Sequence, residues 1–185
     1  MKIVKNMIAA FSLKKEFAAR RNKLYRIAYT WCHDSALADD LVQESVYKAI
    51  KNADKLRDIG TIDTWMYRIL FNCWQDYLRV KGRNVEFTEV HETDVQKEDT
   101  ELSDHYQQSQ IVRRVRHSIE QLPMPLREVV TLADFAGFSY AEISDITGVP
   151  IGTVMSRLFR ARKNLKQQLL DFGSDELELK LRRVK

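Results

Sequence analysis

The stretch Ser139–Leu165, SYAEISDITGVPIGTVMSRLFRARKNL, decides how this chain is read. Ser139 and Glu142 form an S-x-x-E capping box, in which the serine oxygen takes an orphan N–H of the first helical turn and the glutamate returns to the serine's own N–H. Gly148 closes that helix after about eight residues, and Pro150 sits in the turn that follows. The second half is a longer helix with apolar periodicity that also carries Arg157, Arg160, Arg162 and Lys163. A short helix, a tight turn and a basic helix make a helix-turn-helix. Ile143, Ile146 and Val149 are expected to pack inward with Val154 and Leu158. Thr153, Met155, Ser156, Phe159 and Arg160 are then left on or near the outer surface, at the end of the second helix that enters a major groove. Arg162, Lys163 and Lys166 lie further along and suit phosphates better than base edges. The plainer alternative is an antiparallel helix pair with a solvated basic face. The capping box, the turn glycine and the cation cluster together favour DNA.

Working outward, LPMPL (residues 122–126) breaks a preceding helix whose stripe is Ile111, Val115, Ile119 and Leu122. A further helix is expected from about Leu126 to Ala136, with Gly137 in the left-handed position past its end. Upstream, residues 83–108 are acidic, polar and almost aperiodic, which is linker composition. Before them lies another helical lobe. Leu24, Ile27, Ala28 and Trp31 follow i, i+3, i+4, i+7, and Leu41, Val42, Val46, Ala49 and Ile50 continue the pattern in a second helix capped by Asp34 or Ser35. A loop follows, and then TWMYRILFNCWQDYLRV lies in a strongly aromatic helix from about Ile62 to Val80, closed near Gly82. The expected fold is all-α: two small helical domains joined by a flexible acidic linker. The segments are an extension over 1–14, a first domain over 15–83, a linker over 84–108, a second domain over 109–172 and a tail over 173–185. In that tail Leu177, Leu179 and Leu181 alternate with the period of a strand, although a frayed end is the better expectation for so short and charged a run.

The charge is partitioned in the same way. The chain has 185 residues and a net charge of +4. Residues 1–82 carry +6, residues 83–108 carry −6 and residues 109–185 carry +4. Two basic lobes around an acidic segment imply polyanion-facing lobes joined by something that does not face a polyanion. No apolar run approaches the ~20 residues of a membrane span, and the start MKIVKNMIAAF reads as a helix rather than a signal peptide. Cys32 and Cys73 fit a reducing compartment and no disulfide framework. No cofactor is implied, since no phosphate-cradling glycine loop is present.

The aromatic helix interleaves Trp65, Tyr67, Phe71, Trp74 and Tyr77 with Arg68, Asn72, Gln75 and Arg79. Aromatics among cations suit single-stranded nucleic acid, where stacking contributes on the order of 1–3 kcal/mol per base. Stripes at helical spacing are more often core, however. Trp65, Ile69 and Phe71 are read as core, and Arg68, Asn72, Gln75 and Arg79 as the exposed candidates.

At this point a family resemblance becomes visible. LPMPLREVVTLADFAGFSYAEISDITGVPIGTVMSRLFRARKNL closely resembles region 4 of the extracytoplasmic-function (ECF) sigma factors of bacterial RNA polymerase. LADDLVQESVYKAIKN resembles regions 2.1 to 2.2, and TWMYRILFNCWQDYLR resembles regions 2.3 and 2.4. The resemblance implies a promoter-recognition subunit that is not an enzyme and works with core polymerase. It implies −35 duplex contacts at Thr153, Met155, Ser156, Arg157, Phe159, Arg160, Arg162 and Lys163. It implies single-strand −10 contacts at Arg68, Asn72, Gln75 and Arg79 and at a base pocket in the loop Arg57, Asp58, Ile59, Gly60 and Thr61. Asp39, Asp40, Gln43 and Glu44 would dock on the β′ clamp helices, with the β flap as a further contact, and the acidic linker would thread the polymerase's RNA path. An anti-sigma factor is the implied regulator, which places the chain in the cytoplasm or at the inner membrane face without membrane insertion. Met155 departs from the pattern, since many relatives carry lysine or arginine there. Two other classes remain in view. A freestanding dimeric helix-turn-helix regulator would need a dimerisation or sensing domain. A metal enzyme would draw on His33, His91, His105, His117 and the cysteines, whose spacing fits no ligand pattern.

Overall fold

The computed structural model describes residues 2–56, 58–85 and 106–182, and every regular element among them is helical. Helices α1 (Lys2–Cys32), α2 (Ser35–Lys51) and α3 (Ile62–Val85) make the first lobe. Helices α4 (Tyr106–Glu120), α5 (Met124–Val130), α6 (Tyr140–Thr147) and α7 (Ile151–Arg182) make the second. The all-α, two-lobe reading of the sequence is what the chain adopts. Arg57 and residues 86–105, the body of the expected linker, lie outside the described residues.

Local signals set the boundaries. His33 takes a left-handed conformation (φ 53°) at the end of α1. Asp34 then caps α2 by accepting the Leu37 N–H at 3.0 Å. Leu24, Ile27, Ala28 and Trp31 of α1 are buried with Leu41, Val42 and Ala49 of α2, while Ile50 falls at the exposed margin of that stripe. Two 3-10 turns, Ala53–Lys55 and Ile59–Thr61, lead into α3. In the second lobe the capping box forms in full, and Gly148 (φ 72°) ends α6 in the left-handed region, where an L side chain would be strained. Helix α5 passes into a π turn over Thr131–Phe135, closed by the Ala136 N–H on the Thr131 carbonyl at 3.0 Å and by Gly137 at φ 80°.

Three boundaries differ from expectation. Helix α3 runs through Gly82 to Val85, and α4 begins at Tyr106, inside the segment assigned to the linker. Helix α7 continues to Arg182, so the alternating leucines of the tail sit on helical backbone and not on a strand. Their neighbours are Glu, Lys and Arg, which are good helix formers, and three alternating leucines are too few to override that propensity.

The larger departure is that the two lobes pack on one another. Helix α3 lies against α6, and α1 lies against α5 and the π turn. Every residue from Leu126 to Leu132 is buried, so α5 is covered on all sides. Trp31 Nε1 donates to Thr131 Oγ1 at 2.8 Å, and Tyr67 meets Phe138 edge-on with centroids 4.8 Å apart. Glu128 Oε1 accepts from Trp74 Nε1 at 3.1 Å and from Gln75 Nε2 at 2.7 Å. Arg127 donates to the Trp31 carbonyl and the Leu122 carbonyl, each at 3.1 Å, and to the Glu120 carbonyl. Its guanidinium thus joins the C-terminal ends of α1 and α4, where orphan carbonyls and the helix dipoles favour a cation.

Candidate nucleic-acid interface

Helix α7 is positioned by its inner face. Val154, Leu158 and Ala161 are buried at i, i+4, i+7 against Ile143 and Ile146 of α6 and the α5 helix. The turn is fixed by Ser144 Oγ donating to the Val149 carbonyl at 2.6 Å, and Pro150 accepts the first backbone bonds of α7. This rotation leaves Met155, Ser156, Phe159, Arg160 and Lys163 exposed and Thr153 partly so. Met155 is 53% and Phe159 71% accessible, and Ile151, one turn before Met155, is 48% accessible. Arg160 folds back along the helix, its Nε donating to the Ser156 carbonyl at 3.3 Å. Two of the expected cations point elsewhere. Arg162 is held by Asp134 through two bonds, 2.6 and 3.2 Å, with Tyr140 beside it, and this pairing raises its pKa above the ordinary arginine value. Arg157 is half-buried, and its charge acts on Glu128 inside the seam.

On the first lobe, α3 buries Met66, Tyr67, Leu70, Phe71, Cys73 and Trp74, so most of its aromatic content is core. Trp65, Ile69 and Tyr77 are partly covered. The burial of Tyr67 pushes its phenol up to about 12, far from any titration near neutrality. Arg68, Asn72 and Arg79 share the outer face, with Arg79 Nη1 3.1 Å from Asp76 Oδ1. Gln75, expected to be exposed among them, is instead partly buried on Glu128. The loop before α3 is compact. Asp58 accepts the Gly60 N–H at 2.9 Å, and its carbonyl accepts from the Thr61 hydroxyl at 2.9 Å. Asp58, Gly60 and Thr61 are exposed, while Arg57 and the Ile59 side chain lie outside the described residues. On α2, Asp40, Gln43 and Glu44 are exposed, and Glu44 Oε1 lies 3.7 Å from Lys48. Asp39 faces α1 instead, accepting from Arg21 at 2.6 Å.

Comparison with known proteins then fixes the family. The Sigma-70 region 2 family matches residues 17–84, and the Sigma-70 region 4 family matches residues 113–165. The RNA polymerase sigma-H factor of Pseudomonas aeruginosa is 32% identical over 157 residues, which cover 80% of this chain and 81% of that protein. The ECF RNA polymerase sigma-E factor of Haemophilus influenzae is 34% identical over 138 residues, 70% of this chain and 73% of that one. This chain belongs to the ECF sigma factors. It is a promoter-recognition subunit of RNA polymerase and not an enzyme. Among solved structures, the sigma factor RpoE of Bartonella quintana, determined with the anti-sigma factor NepR, is similar at a TM-score of 0.70 and 25% identity. The match covers 85% of this chain and 96% of that one. CnrH, solved with the cytosolic domain of CnrY, shares the fold at a TM-score of 0.61 and 22% identity, over 91% of this chain and 96% of that one.

The residues of this sigma factor that sequence reasoning missed lie in the seam. His33 lies at the heart of that seam, its Nε2 2.9 Å from Arg127 Nη1 and its Nδ1 3.5 Å from Glu120 Oε1. Burial, and then the Arg127 charge, lower its pKa below the ordinary histidine value. Burial raises that of Glu128, against the stabilising bonds from Trp74 and Gln75. His117 stands on the surface near Glu120, and His91 and His105 lie outside the described residues. Burial also raises the pKa of both thiols, which disfavours the reactive thiolate a redox switch would need.

Proposed function

We propose that this sigma factor reads a two-part promoter with two separate faces. The front of α7, with Thr153, Met155, Ser156, Phe159, Arg160 and Lys163, reads the −35 duplex; the half-buried Arg157 adds its charge, and Arg162 joins once Asp134 releases it. The outer stripe of α3, with Arg68, Asn72 and Arg79, and the loop around Asp58, Gly60 and Thr61 hold the −10 strand as it separates. A pocket that rewards only an extruded base turns binding energy into strand opening, which costs a few kcal/mol per step. The exposed Asp40, Gln43 and Glu44 supply the polymerase-docking surface, and the β flap meets the second lobe. The observation that carries this reading is the pairing of two exposed faces, the front of α7 and the outer stripe of α3, on two lobes that share one buried core.

The seam bears on how the subunit works. Elements centred near −35 and −10 stand about 25 base pairs apart, roughly 85 Å at 3.4 Å per pair. Lobes of this size have radii of gyration of about 11 Å, so lobes in contact cannot occupy both elements. Parting them frees Gln75 from Glu128 for the −10 strand. An anti-sigma protein of the kind bound to RpoE fits as the partner that holds the closed form in the cytoplasm. Clefts of about 470 and 520 Å³ along the seam, one beside Arg20, Lys23 and Phe138 and one beside Tyr29, Tyr77 and Lys81, give it a place to grip both lobes. The test is reconstitution with bacterial core polymerase on a library of linear duplexes. Transcripts that start downstream of a recurrent two-part motif are expected. Tight binding to duplex DNA without any association with core polymerase would overturn the reading in favour of a freestanding regulator.

A further inference from the structure

The front of α7 carries a feature that phosphate contact does not explain. Ile151, Met155 and Phe159 follow one another at four-residue intervals, and all three are among the exposed large hydrophobics of the chain. Each step of four residues advances about 6 Å along the axis and turns about 40°, so the three side chains form one oblique apolar ridge. Ser156, Arg160 and Lys163 flank it, all exposed. Single exposed apolar side chains need no explanation. Three in register, bordered by cations, on the helix a helix-turn-helix presents to DNA, do.

The major groove offers such a ridge one kind of apolar partner. Every base edge there shows hydrogen-bond donors or acceptors, and only thymine adds a methyl group. Set against a G·C pair, the ridge would strip water from polar edges and return no hydrogen bond. Against a thymine it gains the burial of a methyl. We infer that Ile151, Met155 and Phe159 form a methyl-reading ridge, which makes the −35 element of this sigma factor selective for thymines at particular steps. Neighbouring ridge residues stand about 6 Å apart, close to two base steps at 3.4 Å each. The methyls they read are therefore spaced about two pairs apart, within a span of about four to five pairs. A cation at residue 155 would instead favour guanine, through its O6 and N7 acceptors, so Met155 shifts the preference of the element from G toward T. This inference rests on the promoter reading of α7 given above.

The experiment uses full-length protein with core polymerase on the promoter selected by the library. Each thymine on the −35 side is replaced in turn by deoxyuridine, which removes the methyl and keeps every hydrogen-bonding group. One or two positions are expected to lose about fourfold in affinity each, the value of one buried methyl. At those positions Met155→Ala or Phe159→Ala should abolish the difference between thymine and deoxyuridine. Both side chains are exposed, so truncation leaves the core intact, and the deoxyuridine arm needs no variant at all. If promoter-dependent transcripts form but deoxyuridine is silent at every −35 position, the ridge reads no methyls and the inference falls alone. Silent deoxyuridine combined with loss of core association in Phe159→Ala would make the ridge a protein-docking surface and overturn it as well. If no transcripts form on any duplex, the promoter reading itself fails and the ridge falls with it.

Discussion

Replacing Glu128 by alanine removes the one acceptor shared by two donors of the other lobe. Trp74 Nε1 and Gln75 Nε2 both donate to Glu128 Oε1, at 3.1 and 2.7 Å, and Trp74 is buried. Its indole N–H has no water to turn to, and an unsatisfied buried donor costs about 1–3 kcal/mol. The loss is partly offset, because burial of the carboxylate is itself unfavourable, as its raised pKa records. The net effect should be about 1–2 kcal/mol against the closed arrangement, which is roughly 5–30-fold in its equilibrium with parted lobes. Glu128→Gln separates the two contributions: it keeps an acceptor and removes the charge, so the closed form should persist or strengthen.

Small-angle scattering reads this directly. A compact chain of this length has a radius of gyration of about 16 Å, and parting the lobes by about 50 Å raises it to roughly 25 Å. Glu128→Ala should lie measurably above the wild type and Glu128→Gln at or below it, both with unchanged helical circular dichroism. If Glu128→Ala were as compact as the wild type and as stable to urea, Glu128 would not anchor the seam.

Other outcomes follow from single residues. Gly148→Ala should cost about 1 kcal/mol of second-lobe stability in urea denaturation, the price of a left-handed L residue, and little more, because nothing lies within 4 Å of an added Cβ. Burial and Arg127 lower the His33 pKa in the folded chain, so its neutral form contributes stability that is intact above the unfolded value near 6.5 and is lost as pH falls below it. Glu120 opposes that shift, and Glu128, whose pKa is raised, favours the closed form in acid, so the His33 contribution is read as a difference. Wild type should lose stability on acidification relative to His33→Asn, a residue that tolerates the left-handed backbone; parallel pH profiles would refute it. Lys163→Ala should weaken binding to all duplexes alike and lower the salt slope by about one unit.

The parts of this fold that were legible beforehand are those set by near neighbours in sequence. Ser139 and Glu142 cap α6 three residues apart, Gly148 needs only its own φ, and the stripes of α1, α2 and α7 follow from 3.6-residue periodicity. The outer faces of α2, α3 and α7 came with them, because a stripe that fixes the inside of a helix also fixes its outside. Four of the expected site residues also interact within this chain. Gln75, Asp39 and Arg162 each bond to a partner in this chain, and Arg157 is half-buried with its charge acting on Glu128. Periodicity tells which side of a helix is polar and leaves open what the polar side faces.

Helix α5 shows this most sharply. In helical projection Arg127, Glu128 and Thr131 share one narrow arc, and Leu126, Val129, Val130 and Leu132 occupy the rest. Such an arc ordinarily faces water. Here it faces the first lobe, and all three residues are buried. The sequence carried a cue on the opposite side of the seam. Trp31 and Trp74 fall on core stripes, and a buried indole requires an acceptor for its N–H. The stripes that bury them are lined mainly by Leu, Ile, Val, Ala, Met and Phe, which offer none. Two tryptophans lacking acceptors in one lobe, and a Thr and a Glu on the polar arc of a helix in the other, are complementary in number and chemistry. Pairing them joins residues 100 and 54 positions apart, across a linker that suggests separation. The question that finds the seam is where each buried N–H goes, and asked of Trp31 and Trp74 it leads to α5.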